Sequence, residues 1–371
     1  MAPGYHSVGS SHEARDMDAE TRVLVTGAGA PGFRGTMYSL VHNPDNKEVH
    51  IIGTDMAEHV SGRHIADAFY VVPPPESPDY VERILVICLT EHVDVVLPQT
   101  TRELSALSSS IEEFVNSGVS VAVAPYESLL LANSKLEILE TFKALGFPYP
   151  HFRVAESEGD LVAYAEELGY PDCRVAVKPP VSSGMRGFRI LTEERWNAER
   201  FLNEKPSNTE ITLKELCAIL EGADPWPRLL VTEYLPGPEY SVDAFIGIKE
   251  RVAVPRLRKA IRSGITFESR VEIREDLANY TLGAGQRLGL RYAFGFQYKL
   301  DEKGTPKVLE CNPRVQGTMV ASTLAGTNVI WMAVREALGN PVSPVSRPVD
   351  GAEFYRYWGG VGVTNDSIQD I

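Results

Sequence analysis

The sequence predicts an α/β chain that turns α+β in its second half: an N-terminal doubly wound parallel sheet, then a two-lobed unit of antiparallel sheets. Three observations predict it. Between 21 and 125, short apolar runs alternate with glycine turns and helix-like segments, as in stacked βαβ units. From about 150 to 311, strand-like runs follow one another through hairpin-like joins, which makes that sheet largely antiparallel. The length, 371 residues, exceeds one ordinary domain.

Residues 1–20 are polar and rich in Ser, His and acids, so a disordered tail is expected there. Strands are expected at 22–26, 49–52, 69–72, 93–97 and 119–123, with the turn Gly27-Ala28-Gly29-Ala30-Pro31-Gly32 after the first. Pro125 and a helical stretch at 127–131 mark the exit from this first domain, 21–125. A second unit, 126–340, opens with a helix capped by Asn133 or Ser134 and running to Gly146. Its small lobe, 150–232, holds a helix at 160–168, a strand ending at Lys178, a glycine loop and a strand at 188–191. A polar insertion with one short helix (213–220) completes that lobe. The large lobe, 233–340, takes strands at 239–246, 251–256, 292–300 and 307–311 and a closing helix at 322–338. An irregular extension, 341–371, ends the chain.

The net charge of −14 argues against nucleic acid or an anionic membrane as partner. Four separated cysteines without a CxxC pair read as reduced thiols of a cytoplasmic protein. No stretch reaches the roughly 20 apolar residues of a membrane span.

The chemistry concentrates in Glu310-Cys311-Asn312-Pro313-Arg314. Glu310 and Asn312 are two apart on a strand and share a face, offering two hard oxygen ligands suited to Mg²⁺ or Mn²⁺, with Cys311 turned away. Arg314 adds a fixed cation, and metal plus guanidinium is what phosphoryl transfer requires. Lys178 ends an apolar strand, and the loop after it contains Ser182, Ser183, Gly184 and Gly187, whose backbone N–H groups can close over phosphate oxygens. It does not fit GxxxxGK[ST]. Glu233, Tyr234 and Leu235, ahead of Pro236-Gly237-Pro238, leave backbone groups for the edge of a purine, and Glu239 can accept from ribose hydroxyls. Between 255 and 266 lie four cations in seven residues, read as a mobile segment meeting the γ-phosphate and a substrate carboxylate; Arg256 and Arg262 are the preferred contacts.

In that order, the motifs resemble the ATP-grasp superfamily over roughly 133–318, above all the synthetase module of the carbamoyl phosphate synthetase large subunit and related carboxylate–amine ligases. The resemblance implies that Lys135, on the helix opening the module, contacts ATP, and that Lys178 covers its phosphates. It assigns adenine to the hinge Glu233–Leu235, ribose to Glu239, metal to Gln297, Glu310 and Asn312, and a catalytic role to Arg314. Pairing the strand of Gln297 with that of Glu310 would bring the two side by side. The implied activity is ATP-dependent ligation: a small carboxylate, an amino acid or related acid, becomes an acyl phosphate that an amine displaces, with ADP and phosphate released. The resemblance also implies a homodimer. Where the carbamoyl phosphate module continues with serine and arginine, Val315-Gln316-Gly317-Thr318 stands here, which points away from bicarbonate. Two other classes stay open. Gly27-x-Gly29-x-x-Gly32 with Asp55 matches a dinucleotide fingerprint of NAD(P) oxidoreductases. A non-catalytic ATP-binding regulatory protein would keep the same pocket.

Overall fold

The computed structural model describes residues 20–182, 184–205, 209–342, 345–364 and 367–370. The expected N-terminal tail, apart from Glu20, and Ser183 of the glycine loop lie outside the described residues.

The first sheet contains β1 (Thr21–Thr26), β2 (Val49–Asp55), β3 (Ala68–Val71), β4 (Val95–Leu97) and β5 (Ser120–Val121), ordered β3-β2-β1-β4-β5 and parallel throughout. Val23, Leu24, Val25, Ile51, Ile52, Val95 and Val96 are all buried, because helices cover both faces and the strands need no polar side. Chain order reverses between β1 and β4. The turn Gly27–Gly32 and the segment 98–102 therefore emerge side by side over a crevice.

The second sheet runs β6 (Phe152–Ala155), β10 (Leu229–Glu233), β7 (Val175–Lys178), β8 (Arg189–Leu191), β9 (Glu210–Ile211), antiparallel except between β8 and β9. The third is antiparallel throughout: β15 (Pro306–Asn312), β14 (Tyr292–Leu300), β11 (Glu239–Ile246), β12 (Arg251–Arg262), β13 (Ile265–Val271) and β16 (Glu353–Tyr355). A hairpin of β17 (Val361–Val363) and β18 (Ile368–Asp370) follows.

Packing differs between these sheets. Leu24, Ile84 and Phe114 of the first unit share one apolar cluster with Phe142, Phe294, Phe296 and Val308, so the first and third sheets form a continuous core. One face of the second sheet packs a separate core from Leu161, Val175, Val177, Leu216 and Val231, while Leu230, Phe152 and Val154 on its other face join the first cluster.

Three elements depart from the sequence expectation. The basic segment is no mobile loop: β12 runs through it to Arg262 and turns at Ser263 and Gly264, both at positive φ. The closing helix is two helices, Val320–Leu324 and Val329–Ala337, divided at Gly326 (φ +84°). Asn328 starts the second by accepting from the Trp331 N–H at 3.0 Å. The extension is not irregular: β16 adds a strand to the edge of the third sheet.

Candidate active site

A cavity of about 890 Å³ opens between the second and third sheets and the turn after β1, large enough for a nucleotide and a second small molecule. Its floor is set by strand register. β14 and β15 pair Gln297 with Glu310 and Gly295 with Asn312, so one carboxylate and two amides share a face. Arg314 donates to Asn312 Oδ1 at 3.1 Å and to Thr101 Oγ1 of the first unit at 3.1 Å, which turns the Asn312 amide nitrogen towards Glu310 Oε1 at 3.5 Å. Burial lowers the pKa of Arg314, with Glu310 as the largest opposing influence. Cys311 points into the core, and burial pushes its thiol well above the ordinary value. Among the described residues no three His, Cys, Asp or Glu cluster together. One carboxylate with neutral amide oxygens suits Mg²⁺, which completes its shell with phosphates and water.

Two lysines converge on this floor. Lys135 begins the helix Lys135–Ala144, whose N-cap Ser134 accepts from the Glu137 N–H at 3.3 Å. Its Nζ donates to the Ser182 carbonyl at 2.7 Å and lies 3.6 Å from Glu310 Oε2. Lys178, at the end of β7, donates across the cleft to the Leu309 carbonyl at 3.2 Å. Burial lowers its pKa to about 8, against the pull of Glu310 and Glu239. Gly184 (φ +63°), Met185 (φ +62°) and Gly187 (φ +73°) shape the loop above. A Cβ on Gly187 would sit 2.7 Å from the Pro179 ring, so glycine is required there. Met185 reaches the tip of the β12–β13 hairpin, its Sδ 3.7 Å from where a Cβ on Gly264 would stand. The loop thus spans the cleft mouth from one lobe to the other.

At the hinge, Leu235, Ala176, Ile190 and Leu309 line an apolar slot fit for a flat base. The Glu233 carboxylate accepts from Lys307 Nζ at 2.5 Å and from the His151 N–H at 2.8 Å, which leaves only backbone at 233–235 for recognition. The Tyr234 ring lies between Arg174 and Lys299, at 5.7 and 5.6 Å. Glu239 is paired with Arg258, which also bonds Thr266 Oγ1 at 2.8 Å, the Gly264 carbonyl at 2.6 Å and Gln297 Oε1 at 3.4 Å.

The two preferred arginines separate. Arg256 lines the cavity, held by Asp243 at 2.9 and 3.2 Å. Arg262 does not line it and stacks on Phe267 at 4.6 Å. Strict alternation would put 256, 258, 260 and 262 on one face. The ladder slips around Ala260, so Ile261 and Ser263 face the cleft and Arg262 turns away. Arg258 was missed, although its spacing of two from Arg256 signalled it.

The dinucleotide fingerprint loses both its supports. Asp55 is spent on two turns, accepting from the Gly29 N–H of the glycine turn at 2.7 Å and from the Ala57 N–H of its own at 2.9 Å. A Cβ on Gly32 would stand 2.6 Å from Gly317 Cα, so the close approach a pyrophosphate needs is taken by backbone of the second unit.

The fold matches solved structures. A biotin carboxylase domain from Hydrogenobacter thermophilus, in complex with MgADP, ADP and bicarbonate, aligns with a TM-score of 0.66 at 17% identity, over 89% of this chain and 72% of that one. An ADP complex of N5-carboxyaminoimidazole ribonucleotide synthetase aligns with a TM-score of 0.64 at 14% identity, over 88% and 79%. The Staphylococcus aureus N5-carboxyaminoimidazole synthetase gives 0.61 at 16%, over 88% and 80%. The chain has the ATP-grasp fold. Residues 226–356 match the family described as ATP-grasp in the biosynthetic pathway with Ter operon. Residues 23–122 match the PylC-like N-terminal domain. Among the described residues no helix is long and apolar enough to cross a membrane.

Proposed function

We propose that this ATP-grasp chain is a ligase that joins a small carboxylic acid to an amine at the expense of ATP, releasing ADP and phosphate. The observation that carries the reading is the convergence of Lys135 and Lys178 on Glu310, with Gln297 in register beside it. The ADP and MgADP complexes of similar structures support it. The base would lie in the hinge slot against 233–235, the phosphates under Ser182, the turn 184–188 and the two lysines. Glu310, Asn312 and Gln297 would hold Mg²⁺, which supplies charge neutralisation at the β/γ-phosphates.

Arg314, anchored on both units, orients the acid's carboxylate for attack on the γ-phosphorus. The mixed anhydride formed is an acyl phosphate. An amine nitrogen adds to its carbonyl carbon, phosphate departs, and the nitrogen loses its proton. Met185 and the Gly264 turn close over the site and keep water from the anhydride. In this reading 21–125 forms the acceptor wall, 150–232 the lid lobe and 233–340 the floor. A cytoplasmic homodimer is the assembly we propose.

The test is phosphate release from Mg-ATP with a panel of carboxylic acids, with and without mixed amines. ADP and phosphate that depend on both partners are expected. AMP with pyrophosphate would overturn the mechanism, and ATP bound but never turned over with any acid would favour a regulatory protein.

A further inference from the structure

The end of the cavity next to the first unit differs in chemistry from the nucleotide end. The carboxylates lining the cavity, among the described residues, are Glu233, Glu239 and Glu310. The first is bound to Lys307, the second to Arg258, and the third belongs to the metal face. None faces the acceptor end. Three backbone acceptors there are engaged: Arg356 donates to the carbonyls of Pro31 (2.6 Å), Gly317 (2.9 Å) and Thr266 (3.2 Å). Glu103 lies beneath, its oxygens accepting from Thr26, the Gln99 N–H and Thr100.

Donors, by contrast, are in surplus. Arg256 is 1% exposed and Gln99 4%, and both line the cavity. Arg256 Nη1 and Gln99 Nε2 are buried without any hydrogen-bond partner. Asp243 balances one guanidinium, yet Arg356 lies close enough to Arg256 for mutual repulsion, which together with burial lowers the pKa of Arg356. Unpaired buried donors and uncompensated cations are costly unless an anion completes them. Register fixes how far away that anion would sit. Glu310, Gln297, Ser241 and Arg256 form one cross-strand row over four adjacent strands, so Arg256 stands about 14 Å from Glu310 along the backbone. One carboxylate cannot serve both places, but a short carbon chain with two anionic groups can.

We infer that the acid substrate carries a second anionic group and no ammonium group, the second anion being bound by Arg256 and Gln99 while the reacting carboxylate faces Arg314. This rests on the ligase reading and narrows its substrate class, away from the amino acid expected from sequence. A zwitterion would bring an ammonium group to an end that has cations and donors but no free carboxylate.

The experiment uses the full chain with Mg-ATP and three acids of matched length: glutarate, glutamate and pentanoate, each with the amine pool. A kcat/KM for glutarate at least tenfold above both others is expected. In Arg256→Gln and Gln99→Leu that preference should shrink to threefold or less while affinity for MgADP stays within twofold. Glutamate used as well as glutarate overturns the inference, as does an equal loss for all three acids in the variants. If no acid releases phosphate, the ligase reading fails, and calorimetry on the MgADP complex decides the inference separately. Glutarate binding tenfold tighter than glutamate upholds it; equal binding sinks it. Should Arg256→Gln not fold, Gln99→Leu carries the comparison.

Discussion

The two ends of one cavity teach different things. At the proposed nucleotide end four cations already have partners: Lys135 with Ser182 and Glu310, Lys178 with the Leu309 carbonyl, Arg258 with Glu239, Lys307 with Glu233. At the acceptor end Arg256 and Gln99 each keep a buried donor without one. The first is preorganised, its groups held before any ligand arrives, so binding there costs little reorganisation. The second holds unpaired donors, so in the proposed ligase its occupancy would select the acid.

Four measurements sharpen or break that contrast. The largest effect is expected for Glu310→Gln, which keeps shape and removes the charge of the proposed metal ligand. Phosphate release should fall roughly 10²–10³-fold, while metal-free nucleotide affinity holds or rises because Lys135 and Lys178 lose their competing anion. An unimpaired variant would remove Glu310 from the reaction.

Next comes the pH dependence of the nucleotide end. Lys178, its pKa lowered to about 8 by burial, must be protonated to serve a phosphate. Turnover at low Mg-ATP should therefore decline as pH rises through about 8, with the limb moving to higher pH at saturation, since bound phosphates favour the charged form. Lys178→Met should lower activity and abolish the limb. Stability moves the other way. The unfolded chain holds this proton up to the ordinary lysine pKa of 10.5, so the unfavourable contribution of Lys178 fades as pH rises from about 8 towards 10.5.

A smaller, one-sided effect is expected for Gly32→Ala. Its Cβ would press on Gly317 Cα at 2.6 Å and push the acceptor wall outward, costing about 1–3 kcal/mol of stability. KM for the acid should rise several-fold, with affinity for MgADP unchanged by calorimetry. Equal damage at both ends would show that the cavity responds as one piece. The smallest effect belongs to Asn328→Ala, remote from the cleft, which removes a helix cap and a 2.6 Å bond to the Ser39 carbonyl. About 1 kcal/mol should be lost in thermal unfolding, with kinetics unaltered.

Short-range pattern made the nucleotide end legible. Apolar runs marked strands of the first sheet, and spacing by two placed Glu310 and Asn312 on one face, as β15 does. Ser134 as a cap and the helix Leu213–Leu220 follow from the same local rules. The basic strand was not legible. Four cations in seven residues concealed the apolar alternation of β12, and the ladder slip that turns Arg262 away depends on its partner strand β13. Gly326, a local signal in principle, splits a helix whose apolar run reads as continuous.

By itself the sequence determined the strands of the first sheet, the shared face of Glu310 and Asn312, and the lysine at a strand end with the glycine loop after it, because strand period and turn chemistry act over a few residues. Tertiary structure alone decided that Arg258 rather than Arg262 enters the cleft, that Glu233 is spent on Lys307, and that Asp55 and Gly32 serve turn and packing instead of a dinucleotide. Those outcomes depend on register slips and close contacts between segments tens to hundreds of residues apart, where no local period carries the information.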